Sequence, residues 1–393
     1  TTTIQIAAPE GFIANGTYRL INYSGTLQGG GSFALVTPGS RQNFALDTTT
    51  PGQVNLVVSG AAGNITWSGD GIGNVWDLAT TANWNGGTDF FYNGDLVTFN
   101  DSGSADPEIN VAQPVLVASM VVDNTAKAYT FTNFGISTFG TLTKRGTNVL
   151  ALANDGNNFR GLISVEEGTL AIGNGGNSGN LGTGNITNNG QLVLNRYVGG
   201  AALSGSISGS GSIYVKAGES NANLTLSGTN TYTGLSTVET NAAITIQNNS
   251  ALGSPATGTK VLAGGRVGFS LESSLDPALL TLSVALPDDS VLVLDPDSTG
   301  HYILDAVERG VYWIEASNAT ASGPEVVMLL PLLSEVTAQE AMGPCRGMRE
   351  PSAWTLAEVA SAFDSIRTAH GLEPARRSAL LDSIAGCRAS DIA

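Results

Sequence analysis

The chain reads as an all-β protein, a parallel β-helix or β-solenoid built from repeats, followed by a small C-terminal region of strands and a helical hairpin. Glycine accounts for 50 of 393 residues and charged residues for only 13%, so turn formers are abundant and helix formers scarce. Short runs alternate apolar and polar residues between Gly, Asn and Asp, the period of a half-buried strand. The same order of strands and turns returns about 73 residues further on, which marks an internal repeat. Aliphatic content is too high for a disordered Gly/Ser/Asn-rich chain.

Residues 1–60 are predicted to form strands at 16–23 (GTYRLINY), 32–37, 42–47 and 53–59. Residues 61–100 hold Trp67, Trp76 and Trp84 among Gly, Asp and Asn. Two readings apply to these indoles. They plug the open end of a solenoid and bury its first rung, or their flat faces stack on sugar rings. Alternation continues at 114–123, 128–132 and 136–139. Residues 140–173 then give strands at 141–144, 149–153 and 162–172, the last interrupted by Glu166 and Glu167. An Asn-Asn-Gly turn at 188–190 leads into the next strand, where positive φ at glycine lets the chain corner tightly. A single rung of about 20–25 residues buries one face only, so rungs must stack with a spacing of about 4.8 Å.

The repeat copies span about 140–185 and 212–257. Lys144, Arg145 and Gly146 align with Lys216, Ala217 and Gly218; Leu150 and Leu152 align with Leu224 and Leu226. Phe159 and Gly161 align with Tyr232 and Gly234, and Leu170 and Ile172 with Ile244 and Ile246. This pattern, with Gly-Thr-Leu at 168–170 and Leu-Gly at 181–182, resembles the autotransporter-associated β-strand repeat, also termed the passenger-associated transport repeat. The second copy departs from it, with Asn241, Ala242 and Ala243 before Ile244. The tryptophan segment resembles a recurrent opening of such arrays, and residues 1–60 a module that closes a preceding one. The resemblance implies a secreted bacterial surface protein, exported in some relatives through a C-terminal barrel. The terminal Asp391, Ile392 and Ala393 lack the aromatic ending of such barrels. The start at Thr1, without Met or leader, predicts a mature form or a fragment.

Composition shifts near 270–280. Charged residues number 26 in the first 275 positions and 24 in the last 118, and no Lys follows Lys260. The expected organisation is a β-rich closing module at 1–60, a solenoid at 61–275, and a β/α region at 276–393. Within the last, strands are predicted at 281–285, 290–295, 302–306 and 310–316, as a small antiparallel meander or cap. Residues 352–370 carry Trp354, Leu356, Val359, Phe363 and Ile366 at helical spacing, and 374–385 suggest a second helix.

Few residues here can do chemistry. His301 and His370 are far apart and near no nucleophile motif or zinc spacing. Asp295 and Asp297 precede Gly300 as in a short calcium loop, though a Pro/Asp/Gly hairpin turn explains them equally well. Calcium at that loop is the single cofactor considered; otherwise none is expected. Cys345 and Cys387 flank the helical hairpin and are either a disulfide or two free thiols. Glu166 and Glu167 are adjacent in a strand, which points them to opposite faces, unlike a glycosidase pair.

A net charge of −16 disfavours nucleic acid and anionic bilayers. No apolar run is long enough for a membrane helix. The expectation is therefore a non-catalytic extracellular passenger or stalk, structural or adhesin-like, contacting a host or matrix glycan or protein. The competing classes are a carbohydrate-binding module using Trp67, Trp76 and Trp84, and a polysaccharide-degrading β-helix enzyme. For the enzyme, Arg145, Arg160 and Lys216 are the only basic candidates in the repeats.

Overall fold

The structure, a computed structural model, describes residues 2–7, 13–27, 33–37, 39–217, 222–248, 250–254, 258–270, 280–288, 290–296, 301–306, 310–320 and 323–334. Among these residues every regular element is a strand, and the fold is a parallel β-solenoid. The chain divides into two compact units, Thr1–Ser212 and Ile213–Ala393. The compositional boundary near 270–280 falls inside the second. The predicted helices at 352–370 and 374–385 lie outside the described residues.

In the first unit, a seven-stranded parallel sheet runs through Asn64–Thr66, Leu96–Asn100, Ser119–Asp123, Leu142–Arg145, Ile163–Val165, Ile186–Asn188 and Ile207–Ser208, in chain order. A second parallel sheet takes Val75–Trp76, Glu108–Val111, Tyr129–Asn133, Val149–Leu152, Thr169–Ile172 and Gln191–Arg196. A third, short sheet holds Val115–Leu116, Ile136–Thr138 and Asn158–Phe159. The single strand expected over 114–123 is thus two strands on different sheets. Glu166 and Glu167 likewise lie, exposed, at a corner between Ile163–Val165 and Thr169–Ile172.

Register explains the alternation. Val97, Met120, Leu142, Ile163, Ile186 and Ile207 stack rung upon rung as one buried column. Between the inward positions, Thr98, Val121, Thr143, Ser164, Thr187 and Ser208 form the outward column of the same sheet. Residues 1–60 add a parallel pair, Thr2–Gln5 with Phe33–Val36, and an antiparallel sheet of Gly16–Asn22, Gln53–Ser59 and Asn43–Asp47.

Two columns of glycine bracket the last four strands of the seven-stranded sheet. A Cβ on Gly161, Gly184 or Gly205 would lie 2.0–2.1 Å from the carbonyl oxygen of the column glycine one rung earlier, and on Gly140 it would lie 1.9 Å from Ala118 O. At the other strand end, Gly168, Gly190 and Gly211 would each meet the preceding column glycine's oxygen at 2.3–2.4 Å. Each column recurs every 21–23 residues. Gly190, expected to supply positive φ to the Asn-Asn-Gly turn, is absent from the positive-φ residues. It is glycine because the neighbouring rung's backbone leaves no space for a side chain.

In the second unit, Ser236–Val238 pairs in parallel with Thr259–Val261, and Ala242–Ile246 with Ala222–Leu226 and Gly265–Ser270. The parallel order then gives way. Gly265–Ser270 pairs antiparallel with His301–Ala306. Leu280–Ala285 pairs antiparallel with Val291–Leu294 and Gly310–Thr320, and the latter with Gly323–Ser334. The four expected strands are present but not as one meander: His301–Ala306 lies on a different sheet, beside Gly265–Ser270, while Gly310–Thr320 lies between Leu280–Ala285 and Gly323–Ser334, which takes in the apolar run at 326–333.

Gly161→Ala is expected to cost about 1–3 kcal/mol, because the new methyl must displace the backbone of the adjacent rung. Gly176→Ala, whose Cβ would meet nothing nearer than Asn174 Oδ1 at 3.5 Å, should stay within about 0.5 kcal/mol of wild type. Urea midpoints of the two variants measure the difference.

Candidate functional site

The aromatic residues of 61–131 converge at the first rungs. Trp67 meets Trp84 edge to face at 5.1 Å between ring centroids and stacks with Phe99 at 5.6 Å. Trp76 meets Phe91 at 5.2 Å, and Phe99 meets Phe131 at 4.9 Å. All six rings are buried. Trp67, Trp76 and Trp84 therefore offer no open face to a sugar, and their arrangement is that of the plug. Such edge-to-face pairs add about 0.5–1.5 kcal/mol each beyond area burial. The Tyr129 hydroxyl closes one side by donating to Asn100 O at 2.6 Å, and burial pushes its pKa up to about 12.

Beside this cluster, Arg41 joins the N-terminal sheet region to the head of the solenoid. Its Nε lies 2.8 and 3.0 Å from the two Asp95 carboxylate oxygens, and its Nη2 donates to Asp89 Oδ1 at 3.0 Å and Phe90 O at 2.6 Å. The guanidinium also sits over the Tyr92 ring, 5.0 Å from its centroid. Asp95, 1% exposed, further accepts from the amides of Gly63 and Tyr92. Burial pushes the Asp95 carboxyl above its ordinary value, against the pull of Arg41 and those amides. With every oxygen engaged, this carboxylate is a fastener.

Lys144 is the buried cation of the repeats. It occupies an inward column with Phe99, Val122, Val165 and Asn188, and its side chain is fully buried. The ammonium donates to Arg145 O and Gly146 O at 2.6 Å each and to Glu167 O at 3.4 Å. Burial lowers its pKa to about 8, with Glu167, Asp123 and Asp101 pulling the other way. Corner carbonyls are thus satisfied by a cation carried on the chain itself, Arg145 O accepting from the Asn124 amide as well. Three asparagines do the same at another corner. Asn157 takes the Ile136 amide on Oδ1 and donates to Asn154 O and Asn180 O, while Asn180 donates back to Asn157 O.

The candidate enzyme residues are not brought together. Arg145 Nε pairs with Glu166 Oε2 at 2.8 Å, both exposed. Arg160 lies over the Phe139 ring and Lys216 over the Tyr214 ring. Asp295 is exposed just past Val291–Leu294, whereas Asp297, Cys345, Cys387 and His370 lie outside the described residues. No cluster of three or more metal-ligating side chains occurs among the described residues. Compared with known protein families, curated proteins and solved structures, the chain matches none.

Sequence reasoning missed both the Arg41 fastener and the Lys144 site. Arg41 and Asp95 are 54 residues apart, and no local pattern links them. For Lys144 a signal existed, since it stands at a position where the strand's alternation calls for an apolar residue.

Trp76→Ala should destabilise the first unit by about 3–5 kcal/mol, seen as a lowered denaturation midpoint. Lys144 gives a pH signature. Its folded-state pKa of about 8 lies below the ordinary 10.5, so between these values the unfolded chain holds more protons and stability rises with pH. The rise amounts to at most about 3 kcal/mol, at roughly 1.4 kcal/mol per unit. Urea midpoints of wild type and Lys144→Met across that window should diverge, the variant lacking the rise.

Proposed function

We propose that this chain is a non-catalytic structural or adhesin-like passenger or stalk of a bacterial cell surface, belonging with the autotransporter-associated β-strand repeat proteins. The observation that carries this reading is the solenoid itself. Its conserved geometry from rung to rung, with two glycine columns and an interior of aliphatic columns, is spent on stacking. The charged groups that do converge, at Arg41 with Asp95 and at Lys144, are bonded inward to backbone and to each other, and serve cohesion. Exposed carboxylates of the repeats sit at corners, Glu166 beside Arg145 and Glu167 next to it. A stalk needs this and no more: local repeats, stability shared between neighbouring rungs, and an outer surface of small hydroxyl residues. Secretion and surface display follow from the repeat resemblance and are part of the proposal.

Two measurements test it. The purified chain, incubated with acidic and neutral polysaccharides with and without calcium, should release no new reducing ends and no unsaturated products. Turnover of any of them would replace this reading with the polysaccharide-degrading class. On intact producing cells, antibody against the chain should label the outside and external protease should remove the label. A purely internal signal would sink the surface assignment.

A further inference from the structure

We propose that Asn189, at the corner it forms with Gly190, is the residue at which the folded chain modifies itself, deamidating through a cyclic imide to aspartate and isoaspartate. This goes beyond the structural reading above and does not rest on it. The chain carries five Asn-Gly pairs, beginning at Asn15, Asn85, Asn93, Asn174 and Asn189. Asparagine is chemically labile, most of all before glycine, which has no side chain to hinder attack by its own nitrogen.

Exposure does not single out one pair, since Asn15, Asn85, Asn174 and Asn189 all lie open to solvent. The amide that must attack does. Gly86 N donates to Ser68 Oγ at 2.6 Å, Gly94 N to Leu116 O at 2.8 Å and Gly175 N to Asn195 O at 2.7 Å. Each of these protons is engaged, and each nitrogen is fixed toward its acceptor. At Asn15 the side chain itself is tied, Nδ2 donating to Gly60 O at 2.9 Å and Oδ1 accepting from Gln42 Nε2 at 3.4 Å.

Asn189 has neither restraint. The main-chain amides of Asn189 and Gln191 join the previous rung at Val165 O and Gly168 O, and Gly190 N between them has no partner among the described residues. Asn189 Nδ2 donates to none of those residues either. The bonded atom is Oδ1, which accepts from Ser210 N at 3.2 Å and Ser210 Oγ at 3.4 Å. Attacking and leaving nitrogens are therefore both free, and the donors converge on the oxygen where negative charge develops as the ring closes.

In the reaction Gly190 N gives up its proton and bonds to Asn189 Cγ. The Cγ–Nδ2 bond breaks, and the amide group leaves with that proton as ammonia. Water then opens the imide. Opening at Cγ restores the ordinary backbone as aspartate, and opening at the main-chain carbonyl routes the backbone through Cβ and Cγ as isoaspartate, one atom longer. That extra atom falls in a glycine column. A Cβ on Gly190 would lie 2.4 Å from Gly168 O, and one on Gly211 would lie 2.3 Å from Gly190 O, so the wall has no slack on either side. Isoaspartate at 189 loosens the ladder that joins Ile186–Asn188 to Ile163–Val165 and Ile207–Ser208, whereas aspartate leaves it intact.

The test incubates the whole purified chain at mildly alkaline pH, folded and in guanidinium chloride. Peptide fragmentation by mass spectrometry places each conversion, and enzymatic methylation counts isoaspartate. Relative to the unfolded sample, Asn15, Asn85, Asn93 and Asn174 should slow at least tenfold on folding, while Asn189 keeps most of its rate. That rate should rise with pH, because the attacking amide must lose its proton. Chains bearing isoaspartate should have a lowered urea midpoint. Asn189→Asp, which adds the charge without the extra backbone atom, should keep the wild-type midpoint, and Asn189→Gln should remove the folded-state isoaspartate. Equal slowing at all five pairs, faster conversion of another pair in the folded chain, or no conversion at Asn189 while the unfolded sample converts would each overturn the proposal.

Discussion

Everything in the solenoid depends on how closely one rung's backbone can approach the next. Parallel pairing repeats at about 4.8 Å, and at the corners of the last four strands of the seven-stranded sheet that distance leaves no volume for a Cβ. Glycine columns at both ends of these four strands are the result. Once the corners are held at contact distance, the inward residues of successive strands fall into register. The column from Val97 to Ile207 then lines the interior, buried at every position.

Close stacking has a cost that the fold meets locally. Corners turn carbonyl groups away from the ladder, and buried ones must find donors. Asn154, Asn157 and Asn180 supply amides at one corner, and Lys144 an ammonium at another. The choice of donor follows the number of acceptors: a primary amide answers two, an ammonium three. At the head of the stack, where no earlier rung covers the interior, indoles provide the missing apolar area. Arg41 fixes the N-terminal sheet region beside them.

The fold class was legible because two periods are printed in the chain, the strand alternation and the recurrence of landmarks such as Leu150 and Leu224. Individual strands such as Val149–Leu152 and Gln53–Ser59 lie where alternation placed them. Corners were less legible. The run at 114–123 is apolar at nearly every position, so the change of parity from buried Val115 and Val117 to buried Met120 and Val122, where the chain bends, is masked in the letters. The glycine columns were visible as letters but not as a cause, because conformational freedom and exclusion by a neighbour write the same residue. The candidate sites were the least legible. Tryptophans draw attention wherever they stand, and only coordinates separate Trp76, wholly enclosed, from Trp313, half open. Lys144 breaks the alternation of its strand, but only the structure shows its ammonium turned onto corner carbonyls.

The paired glycine columns also set a grain size for change over generations. A segment of 21–23 residues that carries one glycine of each column and one strand between them presents the same carbonyls above as it receives below. Such a segment can be duplicated or lost whole, and the chain lengthens or shortens by one layer with every contact preserved. An insertion of part of a layer cannot stay within the wall, because it would put a side chain where only backbone fits. Tolerated insertions must therefore loop outward at corners, as the residues after Trp67 and after Ile172 do. Reach can thus vary in whole layers and decoration at corners, independently, without renegotiating the interior.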